Sequence, residues 1–186
     1  RRLPRTVKTK HTGELAGVAA GGGSDVAFFL NGGTALAEGR GERITPLPPV
    51  PPLAATLICP TVSVPQKTAR MYSCLTSRHY SDGGITRRMV KVLAGEQFVV
   101  ESIGGLLHNV FEEVASQVFQ EPAWLVRQLA GSTRNQLHLC GAGPSLFCLP
   151  SNNEEYERVA SLLQPYGGRV YLVHSVGPTV GEDDTR

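Results

Sequence analysis

"GELAGVAAGGGSDVAFFLNGGTALAEGRGERITPLP", Gly13 to Pro48, sets three glycines against a Ser-Asp pair, adds an apolar run, and then passes through a second glycine-rich segment. Two readings compete for the first cluster. It is either a loop whose backbone N–H groups cradle phosphate, or a turn that presents Asp25 as a reacting carboxylate. The flanks bear on the choice. Leu15, Val18 and Ala19 lie at helical spacing, so "GELAGVAA" is expected to form a short helix that Gly21 to Gly23 end. "TALAEG" and "ERITPL", joined by Arg40-Gly41, predict the two strands of a hairpin. The following "PLPPVPPL" cannot continue a helix or supply the donors of a central strand. It reads as a stiff connector with a domain boundary near Leu53.

Past the connector, "LAATLIC" has strand length, and "VPQKTARMYSCL" places Pro65 where a helix can begin. Leu107, Val110, Phe111, Val114 and Val118 predict one helical face over three turns. Pro122 and Gly131 bracket another short helix. "NQLHLCGAGPSLFCLP", residues 135–150, reads as strand, glycine turn, strand. Asn152 or Asn153 is expected to cap a helix carrying Tyr156, Val159, Ala160 and Leu163, supported by a Glu154–Arg158 pair. "RVYLVHSV" closes as a strand, and the acidic "GEDDTR" is expected to fray. Strands in one layer with helices on one face make this an α+β arrangement.

Composition excludes several classes. The chain has 186 residues, 41% hydrophobic and 18% charged, which suits a soluble globular protein. It contains no apolar run of membrane-spanning length and no signal-peptide pattern, so no membrane partner is expected and the cytoplasm is the expected compartment. Arg1, Arg2, Arg5, Lys8 and Lys10 concentrate positive charge at the start, without the interleaved aromatics or the motif of a nucleic-acid-binding arm. A solvated segment is the expected reading, with no nucleic-acid partner. Cys59, Cys74, Cys140 and Cys148 show no zinc spacing, so reduced thiols and no metal site are expected.

The stretch "GSDVAFFLNGGTALAEGRGERITPLP" closely resembles the Gly-Ala/Ser-Asp-Val-Pro-Phe-Phe...Glu-Gly-x-Gly-Glu segment of the 4-diphosphocytidyl-2-C-methyl-D-erythritol kinases, GHMP-superfamily kinases of the non-mevalonate isoprenoid route. Three further stretches agree in order. "CPTVSVPQKTARMYSCL" resembles the family's Pro-x-Val-x-Val-Pro-Thr-x-x-x-x-Tyr segment, "LLHNVFEEVA" its Asn-Asp-Phe/Leu-Glu helix, and "LCGAGPSLFCL" its third glycine motif. The match runs from about Gly13 to Val176. It implies a two-domain GHMP-kinase-like architecture: residues 1–52 as the tail of a partial N-terminal domain, 53–177 as a mostly complete C-terminal α/β sandwich, and 178–186 as a flexible tail.

The resemblance also resolves the opening ambiguity. The family's phosphate loop, Gly-Leu-Gly-Gly-Gly-Ser-Ser, lies upstream of the helix that precedes the Gly-Ser-Asp-Val segment. Here "ELAGVAA" matches that helix, so Gly23-Ser24-Asp25 falls in the catalytic segment and these residues contain no such loop. The implied reaction is ATP-dependent phosphorylation of the 2-hydroxyl of 4-diphosphocytidyl-2-C-methyl-D-erythritol, with Mg2+ bridging the ATP phosphates. The implied general base is Asp25; by spacing alone, its position after a glycine turn suits an N-capping aspartate. Gly141, Ala142 and Gly143 are assigned by the resemblance to the nucleotide and diphosphate cleft; by spacing alone they fit a plain hairpin turn. Tyr72 falls where the family stacks an aromatic on cytosine, and it also fits a core-packed helix face.

Lys67 and Arg70 share the helix of Tyr72 and suit either phosphates or solvent; His108 and Asn109 read as hydrogen-bonding residues at a helix start. Departures from the pattern are Ala27 for proline, Gly22 for leucine, and Cys140 and Ala142 for two serines. The family's amino-terminal lysine also has no counterpart. The chain is therefore expected to be a carboxy-terminal part without turnover of its own, to expose roughly a few hundred Å² of apolar surface around "VAFFL", and to self-associate. Two other readings remain open at this point: a homoserine- or mevalonate-type GHMP kinase, and a non-catalytic GHMP-fold binding module.

Overall fold

The computed structural model describes residues 25–95, 98–119 and 136–177, apart from the side chains of Leu30 and Asn31. The expected helix at Gly13–Ala20 with its glycine stop, the basic first ten residues, the helix between Pro122 and Gly131 and the acidic tail lie outside the described residues. The chain forms two compact units, Arg1–Pro49 with Val176–Arg186, and Val50–Ser175.

In the first unit the apolar run is helical: α1 spans Val26–Asn31 directly after Asp25. Gly32, at φ 62°, stops it and donates its N–H to the Phe28 carbonyl at 2.8 Å. Glycine suits that stop because the left-handed backbone costs it nothing. Ala27 is buried in the first turn of α1, while Phe29 is 73% exposed. The strands β1 (Ala35–Glu38) and β2 (Arg43–Pro46) then pair antiparallel, with Ala35 opposite Pro46 and Glu38 opposite Arg43. This is the hairpin expected from the alternation. In its tip the Glu42 carboxylate accepts the Arg40 N–H at 2.6 Å. Backbone hydrogen bonds from Glu42 itself and from Arg40 hold that carboxyl below its usual range.

The proline-rich residues 47–53 have no regular structure. After them comes an antiparallel sheet in the second unit, in the order β4-β5-β3-β6. Its members are β3 (Ala54–Cys59), β4 (Leu137–Leu139), β5 (Leu146–Cys148) and β6 (Arg169–His174). Register follows the pleat. Ile58 lies opposite Leu146 and Val170, and Leu146 opposite Leu139, so these four side chains share one face. The same face meets Met71, Val114, Val118, Phe119, Val159 and Leu163 from the helical segments, forming the core of this unit. A strand layer covered by helices is the expected α+β arrangement.

The helices differ in detail from the sequence reading. Helix α2 (Lys67–Ser73) starts two residues after Pro65, because Gln66 takes a left-handed conformation at φ 52°. Helix α3 (Gly84–Leu93) begins behind Asp82, which accepts the Gly84 N–H at 2.8 Å and pairs with Arg87 at 3.0 Å. After the short α4 (Glu101–Gly104), the expected three-turn helix through Leu107 and Val118 does not form. Instead a 3-10 turn spans Val110–Glu113, and α5 is confined to Ala115–Val118. Asn109, extended at φ −136° and ψ 115°, separates Leu107 from the later residues and caps the 3-10 turn by accepting the Phe111 N–H, and Val114 at φ −116° separates that turn from α5. Val114 and Val118 of the predicted face are nevertheless buried. Helix α6 (Asn153–Leu163) is capped as expected: the Asn152 side chain accepts the Glu155 N–H at 2.9 Å. Arg158 pairs with the buried Glu155, one residue beyond the expected partner Glu154.

Candidate functional site

The connection between β4 and β5 is a tightly constrained turn. Gly141 and Gly143 adopt φ 52° and 68°. At Gly143 a Cβ would stand 2.8 Å from Leu139 Cδ1 and 3.1 Å from Phe119 Cε2, so both backbone and space demand glycine there. At Gly141 a Cβ would enter open space, and only the backbone conformation favours glycine. The loop is closed by the Cys140 N–H on the Ser145 carbonyl and the Gly143 N–H on the Cys140 carbonyl, both at 2.8 Å.

Side chains from two other segments hold the turn from outside. Asn109 Nδ2 donates to the Leu139 carbonyl at 2.9 Å and to the Gly141 carbonyl at 2.8 Å. Its Oδ1 accepts the Phe111 N–H at 3.1 Å. Glu112 Oε1 accepts the Leu139 N–H at 2.8 Å and lies 3.3 Å from Nδ1 of the buried His138. From the start of α2, Lys67 Nζ donates to the Gly143 carbonyl.

This arrangement polarises the turn. The carbonyls of Leu139, Gly141 and Gly143, which would repel an anion, are bound to scaffold donors, one of them a cationic ammonium. The N–H groups of Gly141 and Ala142 have no acceptor among the described residues. Free N–H groups beside neutralised carbonyls are the chemistry that an anionic oxygen requires. The Cys140 thiol adds no charge here. Burial, and secondarily the neighbouring Cys59, push it above its usual range.

Tyr72 lies on α2, the helix that carries Lys67. Its ring meets Phe111 edge-on, centroids 5.0 Å apart at 87°, and 61% of the residue stays exposed. That exposure does not fit a core-packed side chain. The structure thus gathers Lys67, Tyr72, Asn109, Gly141, Ala142 and Gly143 within the second unit. Arg70 is exposed on the same helix, and its neighbour Met71 enters the core. Asp25 belongs to the first unit: it is exposed, immediately precedes α1 and makes no capping hydrogen bond through its side chain. The N-capping explanation of Asp25 therefore has no bond to support it.

Glu112 was not evident from the sequence as part of the site. The Asn109-x-x-Glu112 spacing resembles a capping box, in which both side chains would serve their own helix end. Asn109 does cap its own turn through Oδ1, as its helix-start position implies, while its NH2 group and the Glu112 carboxylate reach β4.

No family profile matches the chain. Curated proteins do. The 4-diphosphocytidyl-2-C-methyl-D-erythritol kinase of Dehalococcoides mccartyi is 36% identical over 157 residues, covering 84% of this chain and 54% of that protein. The chain spans about half the length of the curated relatives it matches. Among solved structures, a 4-(cytidine 5'-diphospho)-2C-methyl-D-erythritol kinase superposes with a TM-score of 0.65 at 27% identity, over 88% of this chain and 57% of that one. The homoserine kinase of Cytophaga hutchinsonii superposes with a TM-score of 0.59 at 22% identity, over 82% of this chain and 51% of that one, a likeness of fold alone.

Proposed function

Because the chain belongs to the 4-diphosphocytidyl-2-C-methyl-D-erythritol kinase family, within the GHMP-kinase fold, we propose that it serves ATP-dependent phosphorylation of the 2-hydroxyl of 4-diphosphocytidyl-2-C-methyl-D-erythritol. The observation that carries this reading is the polarised turn at Gly141–Gly143: scaffold donors take its carbonyls, and two N–H groups are left for phosphate oxygens. ATP supplies the phosphoryl group that is transferred. Lys67 adds a positive charge at the edge of the turn and favours a polyanionic ligand there.

Asp25 is proposed as the base that accepts the proton of the substrate hydroxyl. It is free to do so, since no capping bond engages its carboxylate. Tyr72 is proposed to stack on the cytosine ring; it is exposed and stands T-shaped against Phe111. Among the described residues no group of three His, Cys, Asp or Glu side chains is placed to hold a metal ion. Mg2+ is proposed to accompany the ATP phosphates. We assign residues 1–52 to the catalytic-segment side of the GHMP architecture, 53–177 to its C-terminal domain and 178–186 to a tail. The proposed compartment is the cytoplasm; no described helix is long and apolar enough to cross a membrane.

A homoserine-type substrate has only a likeness of fold behind it. Phosphoryl transfer tests the proposal. Labelled ATP and 4-diphosphocytidyl-2-C-methyl-D-erythritol are supplied to this chain alone, and to the chain joined behind the amino-terminal part of the Dehalococcoides mccartyi kinase. Transfer is expected from the joined protein and not from the chain alone. A folded joined protein that phosphorylates homoserine or mevalonate, or nothing, would refute it.

A further inference from the structure

β4 is an edge strand among the described residues, and its outward-facing groups need partners. Parity shows which groups these are. Cys140 N–H bonds inward to Ser145 of the β5 side, so the neighbouring Leu139 points its N–H and carbonyl away from β5. Gly141, two residues on, shares the outward direction at its carbonyl. At the turn end of that edge, three outward groups are met by side chains of one short segment: Glu112 accepts the Leu139 N–H, and Asn109 donates to the Leu139 and Gly141 carbonyls.

We propose that Asn109 and Glu112 act together as a surrogate strand along the free edge of β4, as positioning residues that fix the Gly141–Gly143 turn in the shape that receives nucleotide phosphate. The inference rests on the nucleotide reading of that turn. It explains why the segment is broken at Asn109. With Asn109 extended rather than helical, one carboxamide spans the carbonyls of Leu139 and Gly141. Asn suits the task because its NH2 group has two donors. Glu112 needs only to accept at this edge, so a neutral amide of the same length can replace it there.

The test compares ADP binding, by calorimetry, with amide hydrogen exchange across the β4–β5 turn. Asn109→Ala is expected to weaken ADP binding about 5- to 10-fold and to speed exchange at Gly141 and Ala142, while exchange in β3 and β6 stays as in the wild type. Asn109→Asp is expected to do the same, because a carboxylate offers no donor to two carbonyls. Glu112→Ala is expected to weaken binding, and Glu112→Gln to restore it to within about 2-fold. Should Asn109→Ala not fold, the Glu112 pair carries the comparison. A wild-type chain that binds no ADP would sink the nucleotide reading and the purpose of the clamp with it. If the wild type binds and both alanine variants bind equally well, the reading survives and the positioning proposal falls. Equal losses in Glu112→Ala and Glu112→Gln would also overturn it, since the acceptor would then not be what matters.

Discussion

The two glycine-rich turns of this chain look alike as sequence and differ as physical objects. The tip of the β1–β2 hairpin holds Gly39 and Gly41 at φ 70° and 105°, in an exposed loop stitched by Glu42 of the same loop. The β4–β5 turn holds Gly141 and Gly143 at similar angles, but Asn109, Glu112, Lys67 and Phe119, all distant in sequence, surround it. Positive φ alone makes a turn. Removing the carbonyls from the ligand's side makes an anion site, and that takes donors from elsewhere in the fold.

The largest expected effect lies in the first unit. Asp25→Asn in the joined kinase is expected to lower the transfer rate by about 100- to 10,000-fold. The same substitution is expected to change unfolding free energy by less than about 0.5 kcal/mol, because the exposed carboxylate makes no capping bond. A large stability loss with unchanged transfer would recast Asp25 as structural.

Next comes the packed glycine. Gly143→Ala is expected to cost about 2–4 kcal/mol, combining the contacts with Leu139 and Phe119 with the left-handed backbone. Gly141→Ala carries only the backbone cost, about 1–2 kcal/mol. Denaturant unfolding of the two variants checks the order, and a reversal would mean that the core beneath Gly143 is not as tight as described.

Tyr72→Ala is expected to weaken binding of the cytidine substrate by about 1–3 kcal/mol, with Tyr72→Phe nearly neutral. Calorimetric titration distinguishes a stacking platform from a tyrosine that acts through its hydroxyl.

The smallest effect is one of pH. The Gly84 N–H, and then Arg87, hold the Asp82 carboxyl below its usual range. A depressed carboxylate contributes stability that is present above the unfolded pKa and is lost as pH falls through the folded one. Asp82→Asn is therefore expected to flatten slightly the fall in stability below about pH 4, measured by thermal unfolding across pH.

Much of the fold was legible because it is local. The hairpin follows from alternation with glycine between, and the Asn152 cap needs only an N–H three residues on. The strand, glycine turn, strand reading of residues 135–150 held for the same reason. The three-turn helix through Leu107 failed because its periodicity is real but incomplete as an instruction. Val114 and Val118 do enter the core, yet Asn109 is extended and its amide bonds to the edge of a strand some thirty residues away. Of the candidate site, Tyr72 and the glycines could be named in advance. The contacts that Asn109, Glu112 and Lys67 make with the turn could not, since no short-range pattern encodes a partner at that separation.

The most direct test is to follow the backbone N–H resonances of the chain by heteronuclear NMR as ADP is added. The account predicts the largest shifts at Gly141 and Ala142, with Gly39 and Gly41 unmoved. Shifts at the hairpin glycines, with Gly141 and Ala142 silent, would contradict it.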